Sequence, residues 1–285
     1  MTEPHADSAE LEDAAGSRPA VAAVEPTPVE RRFGITIVEA DPRTGRSLLT
    51  MDVASLENTE TGVRSLGPLA LMLDGSGGLS NHVVRPDDTW TVTSELSMDL
   101  NRAAMVSSGE VVASFRSIGF DSVQALSLTT FRIGGIEVGT GLIRSVFVPA
   151  RGVDLQRPRN PASPSRHATL LEQLSLRVDG ASSGYSLIPM LDPDLNNDIG
   201  SVHGGVVAIA LELVAVGALQ SKQGDSDAHY SGSLRINYLR PMKVGDGARY
   251  NATPVRIGRG TAVADSVAIG ADGQASAIAR VTRYR

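Results

Sequence analysis

The sequence predicts an α+β protein built from two similar halves, and three observations carry that expectation. A constant offset of 138 maps many first-half positions onto like residues in the second half. Each half holds one strongly apolar helical stretch among several short alternating ones, as expected of a helix packed on an antiparallel sheet. A proline-rich joint divides the 285 residues into blocks of nearly equal length. That length suits two domains of ~150 residues each.

The offset holds over a long span. Gly67 falls on Gly205, Ala70 on Ala208, Leu71 on Ile209, Leu73 on Leu211 and Asp74 on Glu212. Thr93 falls on Ser231, Leu96 on Leu234, Met98 on Ile236, Arg102 on Arg240 and Gly109 on Gly247. Lengthening the offset by one residue then aligns Gly119 with Gly258 and Ser127 with Ser266. One register kept across so many apolar and glycine positions implies an ancient duplication.

Residues 1–32 carry seven Asp or Glu against Arg18, Arg31 and Arg32 and show no apolar periodicity, so a disordered acidic tail is expected. The first half, 33–148, opens with a β segment at 33–40 and a hairpin partner at 46–53. An apolar helix at 66–77 follows, then strand-like runs at 91–100, 110–117, 123–131 and 137–148. Residues 149–167 combine Pro149, Pro158, Pro161 and Pro164 with Arg151, Arg157, Arg159 and Arg166. Prolines at that density forbid a continuous helix or an inner strand, leaving a linker or a basic strip for a partner.

The second half, 168–285, repeats the order with β segments at 174–178 and 184–191 and a helix at 204–219. Its strands are expected at 231–239, 248–256, 261–269 and 274–284. Leu234, Ile236 and Tyr238 alternate onto one face, as a half-buried antiparallel strand requires. Turn signals fall at Gly245-Asp246-Gly247, Gly258-Arg259-Gly260 and Asp272-Gly273, where hairpins need them.

Composition removes several classes of function. Net charge is −6 and no segment is strongly basic, which argues against a nucleic-acid partner. The absence of cysteine excludes disulfides, thiolate nucleophiles and Cys-based metal centres. The longest apolar run, Val206 to Leu219, contains Glu212 and falls short of the ~20 residues of a membrane helix. No basic start followed by an apolar block marks a signal peptide. A soluble cytoplasmic protein with no membrane partner is expected.

The helices carry the informative residues. Between Val206 and Leu219 only Glu212 is charged, and an all-round apolar helix must be wrapped by other structure. Burial raises a carboxyl pKa unless donors or cations compensate. Asp74 is the matching lone charge of the first helix. Buried carboxylates are held for structural pairing or for chemistry, and two at equivalent places favour chemistry. The second helix is entered through Asn197-Asp198-Ile199-Gly200-Ser201-Val202-His203-Gly204-Gly205. Two glycines at a helix start allow close approach to amides that lack helical partners and sit at the positive end of the dipole. Such amides can hold a carbonyl oxygen gaining negative charge. A plain glycine turn and a packed histidine would look the same in sequence.

Asn197, Gly200, His203, Gly204, Gly205 and Glu212 together resemble the hotdog-fold acyl-CoA thioesterases of the phenylacetate-degradation (PaaI-like) type. Ile236-Asn237-Tyr238-Leu239-Arg240-Pro241, Gly245 and Gly258-Arg259-Gly260 are similar to strand and turn sequences of the same family. The resemblance covers 168–285. Over 33–148 it rests on the repeat and on Gly67-Pro68 through Asp74-Gly75. It implies two tandem hotdog folds, each a central helix wrapped by a curved antiparallel sheet, packed as a fused dimer.

The resemblance also implies a mechanism. The Gly204 amide would bind the thioester carbonyl, Asn197 would help place substrate or water, and a carboxylate from the facing half would attack or activate water beside a Ser or Thr. Read crosswise, Asn197, His203 and Gly204 meet Asp74 and Thr93. The reciprocal site pairs Glu212 and Ser231 with an eroded motif, because Ser65 stands for His203, Leu66 for Gly204 and Thr59 for Asn197. If the crosswise reading fails, Glu212 is the catalytic acid. No metal or separate cofactor is implied, coenzyme A being part of the substrate. Arg240, Arg256, Arg259 and Arg283 are candidates for its phosphates. Self-association of double-hotdog chains would suit the fold. The rival readings are a hydratase of the same fold, whose motifs are missing, and a non-catalytic acyl-CoA-binding or regulatory protein.

Overall fold

The computed structural model describes residues 25–41, 44–59, 61–151, 169–179, 184–223 and 229–285. Most of the expected tail (1–24) and linker (152–168) lies outside the described residues. The first half supplies β1 (Thr36–Asp41), β2 (Arg46–Asp52), β3 (Thr89–Leu100), β4 (Glu110–Phe120), β5 (Gln124–Ile133) and β6 (Ile136–Pro149). The second supplies β7 (Leu176–Val178), β8 (Ser186–Pro189), β9 (Tyr230–Tyr238), β10 (Arg249–Ile257), β11 (Thr261–Ile269) and β12 (Ala275–Tyr284). The helices are α1 (Pro28–Arg32), α2 (Gly67–Met72), α3 (Gly78–His82), α4 (Ala103–Val106), α5 (Leu170–Gln173) and α6 (Gly204–Gln223).

All twelve strands form one antiparallel sheet in the order β1-β2-β4-β5-β6-β3-β9-β12-β11-β10-β8-β7. Reading outward from the centre, the two halves repeat the same order of elements. They join where β3 pairs with β9, and Ser97 there faces Arg235, its own counterpart at offset 138. A pseudo-twofold axis therefore passes through this pair. The fold is two hotdogs in tandem, fused edge to edge.

The strand registers correct one part of the repeat. The β4/β5 bulge at Ser117/Gly119 recurs at Pro254/Arg256, and the β5/β6 bulge at Phe131/Arg132 recurs at Ala268/Ile269. The offset there is 137, so Gly119 corresponds to Arg256 and Ser127 to Ala264, not to Gly258 and Ser266. Bulges are fixed by backbone pairing, whereas like residues one or two positions apart can align by accident.

The start of the first half also needs correction. Thr27 caps α1 with Glu30 in a reciprocal capping box, and Pro28 occupies the first turn. Val29 and Glu30 are buried, and Arg32 reaches the second half through Asp192 at 2.7 Å and the Gln173 carbonyl at 2.8 Å. The order therefore begins before residue 33. Thr169 and Glu172 form the same capping box on α5, so the duplication extends to these helices.

Two glycines set the crossing of the central helices. A Cβ on Gly67 would lie 2.9 Å from Ile209 Cα, and one on Gly205 would lie 2.7 Å from Leu71 Cα. These contacts are related by the pseudo-twofold axis. Each helix start thus packs on the middle of the other helix. One turn beyond Leu71 comes Asp74, and one turn beyond Ile209 comes Glu212, so each carboxylate meets the opposite helix N-terminus. The first helix does not run as one α-helix over 66–77. It passes into a π-turn at Leu73–Gly77, carrying Asp74, before resuming as α3. Such turns often mark functional positions. Helix α6 is long and apolar enough to cross a membrane by length and composition, but it is largely buried inside the fold.

Candidate active site

The loop before α6 shows why its residues have their spacing. Asn197 Oδ1 accepts the Ile199 and Ser201 amides at 3.2 and 3.0 Å, and Gly200 takes a φ of +71° that glycine adopts without strain. The loop is closed by Val202 N–H to the Met242 carbonyl and His203 N–H to the Leu195 carbonyl, both at 2.9 Å. His203 then caps α6, its carbonyl accepting the Val207 amide. Asn197 lines the cavity, yet its side-chain oxygen builds the turn.

Asp74 meets this helix start across the interface between the halves. Its Oδ2 accepts the Gly205 amide at 2.7 Å and its Oδ1 accepts the Thr93 hydroxyl at 2.9 Å. The Gly205 amide also donates to His203 Nδ1 at 3.1 Å, and that nitrogen lies 3.2 Å from Asp74 Oδ2. A Cβ on Gly204 would stand 2.6 Å from Asp74 Oδ2, which is why glycine is needed there. The Gly205 amide holds the carboxylate. The Gly204 amide, one residue earlier, has no hydrogen-bond partner among the described residues. It is the donor available to an oxyanion.

A cavity of about 550 Å³ opens on this cluster and is lined by Asp74, Thr93, Asn197, His203 and Gly204. Much of its wall is apolar, from residues such as Ile37, Leu79, Trp90, Val146, Val202 and Met242. Arg240 belongs to the wall and is exposed. Arg256 and Arg259 are exposed but do not line the cavity. At the cavity wall His82 packs edge-on against Trp90, with ring centroids 4.8 Å apart, and its Nδ1 lies 3.0 Å from the Thr91 hydroxyl. Burial, with the Arg85 charge nearby, lowers its pKa to about 4.

The reciprocal cluster is closed. Glu212 is 1% exposed, and its oxygens accept the Ser65 and Ser231 hydroxyls, each at 2.6 Å. Burial pushes its pKa up, opposed by the two serines, the Arg283 charge and the Leu66 backbone amide. Glu212 is one methylene longer than Asp74. Its carboxylate therefore comes under the influence of Leu66, the counterpart of Gly204. Arg283 occupies the place of Ser145, since Thr93 pairs with Ser145 and Ser231 with Arg283 beside matching bulges. Ser145 lines the open cavity, whereas Arg283 is fully buried and donates to the His229 carbonyl. That burial removes Arg283 from the candidates for contacting phosphate: a surface role needs an exposed guanidinium.

Thus the structure brings Asp74, Thr93, Asn197, His203 and Gly204 together, and sets Glu212 with Ser231 in a sealed cluster. The sequence reading missed the Gly205 amide, the Tyr238 hydroxyl, which donates to the Gly204 carbonyl at 2.8 Å, and Glu30, which packs over Gly75 beside the cavity. Only Glu30 had a local signal, the Thr-x-x-Glu capping pattern.

Residues 199–276 match the family model of the thioesterase superfamily. No curated protein matches the sequence significantly. Among solved structures, the tesB protein of Mycobacterium avium subs paratuberculosis aligns with a TM-score of 0.63 at 9% identity, covering 90% of this chain and 97% of that one. The acyl-CoA thioesterase II TesB2 of Mycobacterium marinum aligns at 0.58 and 14% identity over 90% and 96%. The 12:0-ACP thioesterase of Umbellularia californica aligns at 0.53 and 15% identity over 84% and 94%. At these identities the alignments speak for the fold, and they extend it over both halves. Residues 199–276 thus form a thioesterase-superfamily domain within a chain that has the double-hotdog fold.

Proposed function

We propose that the protein is an acyl-CoA thioesterase with one working site per chain, built by Asp74 and Thr93 of the first half and His203, Gly204 and Gly205 of the second. The observation that carries this reading is the placement of Asp74. It is held by Thr93 and the Gly205 amide on the wall of the cavity, beside the unpaired Gly204 amide.

In this reading the thioester carbonyl oxygen lies on the Gly204 N–H at the positive end of α6. Asp74 takes a proton from water as the water oxygen bonds to the carbonyl carbon. The tetrahedral intermediate collapses by breaking the C–S bond, and the proton passes from Asp74 to the leaving thiolate. Free acid and coenzyme A result. Direct attack by Asp74 would use the same residues through an anhydride that water then cleaves. Arg240 is suited to a phosphate of coenzyme A. The protein is expected in the cytoplasm, and light scattering on the purified chain would test its expected self-association.

The test is thiol release from short, medium, long and aromatic acyl-CoAs by wild type, Asp74→Asn and Glu212→Gln. Asp74→Asn is expected to lose on the order of 10²–10⁴-fold in kcat, with Glu212→Gln close to wild type. Loss confined to Glu212→Gln would move catalysis to the other carboxylate. Tight binding of every acyl-CoA with no hydrolysis would leave a sensor.

A further inference from the structure

We propose that Tyr238 is a positioning residue for Asp74, acting through the peptide group between Gly204 and Gly205. The inference rests on Asp74 as the reactive carboxylate of the proposed site. Tyr238 Oη donates to the Gly204 carbonyl at 2.8 Å, and the N–H of that same peptide donates to Asp74 Oδ2 at 2.7 Å. One amide is thus gripped at both ends. A hydrogen bond to its oxygen polarises the group and strengthens its N–H as a donor. It also fixes the peptide plane at a point where two successive glycines leave the backbone free to rotate.

The arrangement is specific to the open site. Tyr238 closes β9, and at offset 138 its counterpart at the end of β3 is Leu100, which has no hydroxyl to offer. In the sealed cluster the equivalent amide of Gly67 donates to Ser65 Oγ at 3.1 Å, so Glu212 is not held through that peptide. Burial, followed by the Asp74 charge, raises the phenol pKa well above its ordinary value, so Tyr238 stays a donor throughout the working pH range. The other titratable groups around Asp74 are His203 at 3.2 Å and Glu30, whose carboxylate packs over Gly75, with His82 and Arg240 on the same cavity wall.

The experiment combines turnover of an acyl-CoA with the ¹³C titration of the Asp74 carboxylate, its signal assigned by loss in Asp74→Asn. In Tyr238→Phe, kcat is expected to fall roughly tenfold with little change in KM. The Asp74 titration and the acid limb of the kcat profile should both move to higher pH. A role in packing alone would leave both titrations in place. A folded Tyr238→Phe chain with an unmoved Asp74 titration overturns the proposal. If that variant does not fold, 3-fluorotyrosine placed at position 238 decides. A more acidic phenol should shift the Asp74 titration down with turnover kept, and an unmoved titration overturns the proposal. A wild type that cleaves no thioester, but whose Asp74 titration still moves in Tyr238→Phe, would overturn the functional reading and uphold the coupling.

Discussion

Ser145 and Arg283 occupy the same position in the two halves, yet one borders an open cavity and the other is fully buried near Glu212. Each sits opposite the hydroxyl residue that holds its half's carboxylate, Thr93 or Ser231. A duplicated fold has thus kept two carboxylates and diverged in what surrounds them. Asp74, 9% exposed, faces a cavity, while Glu212 is enclosed by Ser65, Ser231 and Arg283.

Arg283→Ala should therefore destabilise the fold by about 3 kcal/mol, because it empties the space of a large, fully buried side chain, removes its hydrogen bond to the His229 carbonyl and takes away the charge near Glu212. Adding Glu212→Gln should recover the part of the loss that comes from the charge. Urea unfolding of the two single variants and the double variant measures the coupling. Strict additivity would show that Arg283 and Glu212 act independently.

The raised pKa of Glu212 fixes the sign of its effect on stability. The folded state favours the protonated acid, so its contribution is present below the ordinary carboxylate pKa and is lost as pH rises through the folded value. Relative to wild type, Glu212→Gln should gain stability with rising pH and then level off. Unfolding curves from pH 4 to 9 would reveal the crossing.

His82 behaves in the opposite sense. With its pKa lowered from 6.5 to about 4, the folded state excludes a proton that the unfolded chain accepts. The associated stability is present above pH 6.5 and drains away as pH falls through 4. His82→Gln should flatten this part of the stability profile, read by thermal melts at successive pH values.

The helix-start glycines should separate folding from chemistry. Alanine at position 204 would push on the end of the Asp74 side chain, so turnover is expected to fall ~10²-fold with the fold retained. Alanine at position 205 or position 67 would meet backbone of the opposite helix, costing about 1–3 kcal/mol in either case. Melting temperatures and thiol release on all three variants distinguish these outcomes.

Much of the architecture was legible in residue patterns. The apolar face of 233–239, the glycine turns and the matched Asp74 and Glu212 anticipated strands, hairpins and helices to within a few residues. Local chemistry dictates these, because alternation and turn glycines act over a few neighbours. The Asn197–Gly205 motif likewise announced a special helix start, and the family resemblance it carries implied a fused pair. The Thr27–Glu30 capping box was equally local, but the acidic composition around it pointed to disorder, and burial of Val29 against the fold overrode that.

Tertiary structure decided what no spacing encodes. Whether Gly205 faced Asp74 or Glu212 depended on two helices crossing at glycines, a contact between residues more than 130 apart in sequence. The bulges set the strand offset at 137, which similarity of residue type had placed elsewhere. Arg283 looks in sequence like any strand-end arginine; only the pairing with Ser231 turns it into the core beside Glu212. Periodicity and composition, being properties of short segments, specify two like folds and two carboxylates. The packing of one half on the other determined which carboxylate is open to a substrate, because burial and hydrogen-bond geometry arise only when distant segments meet.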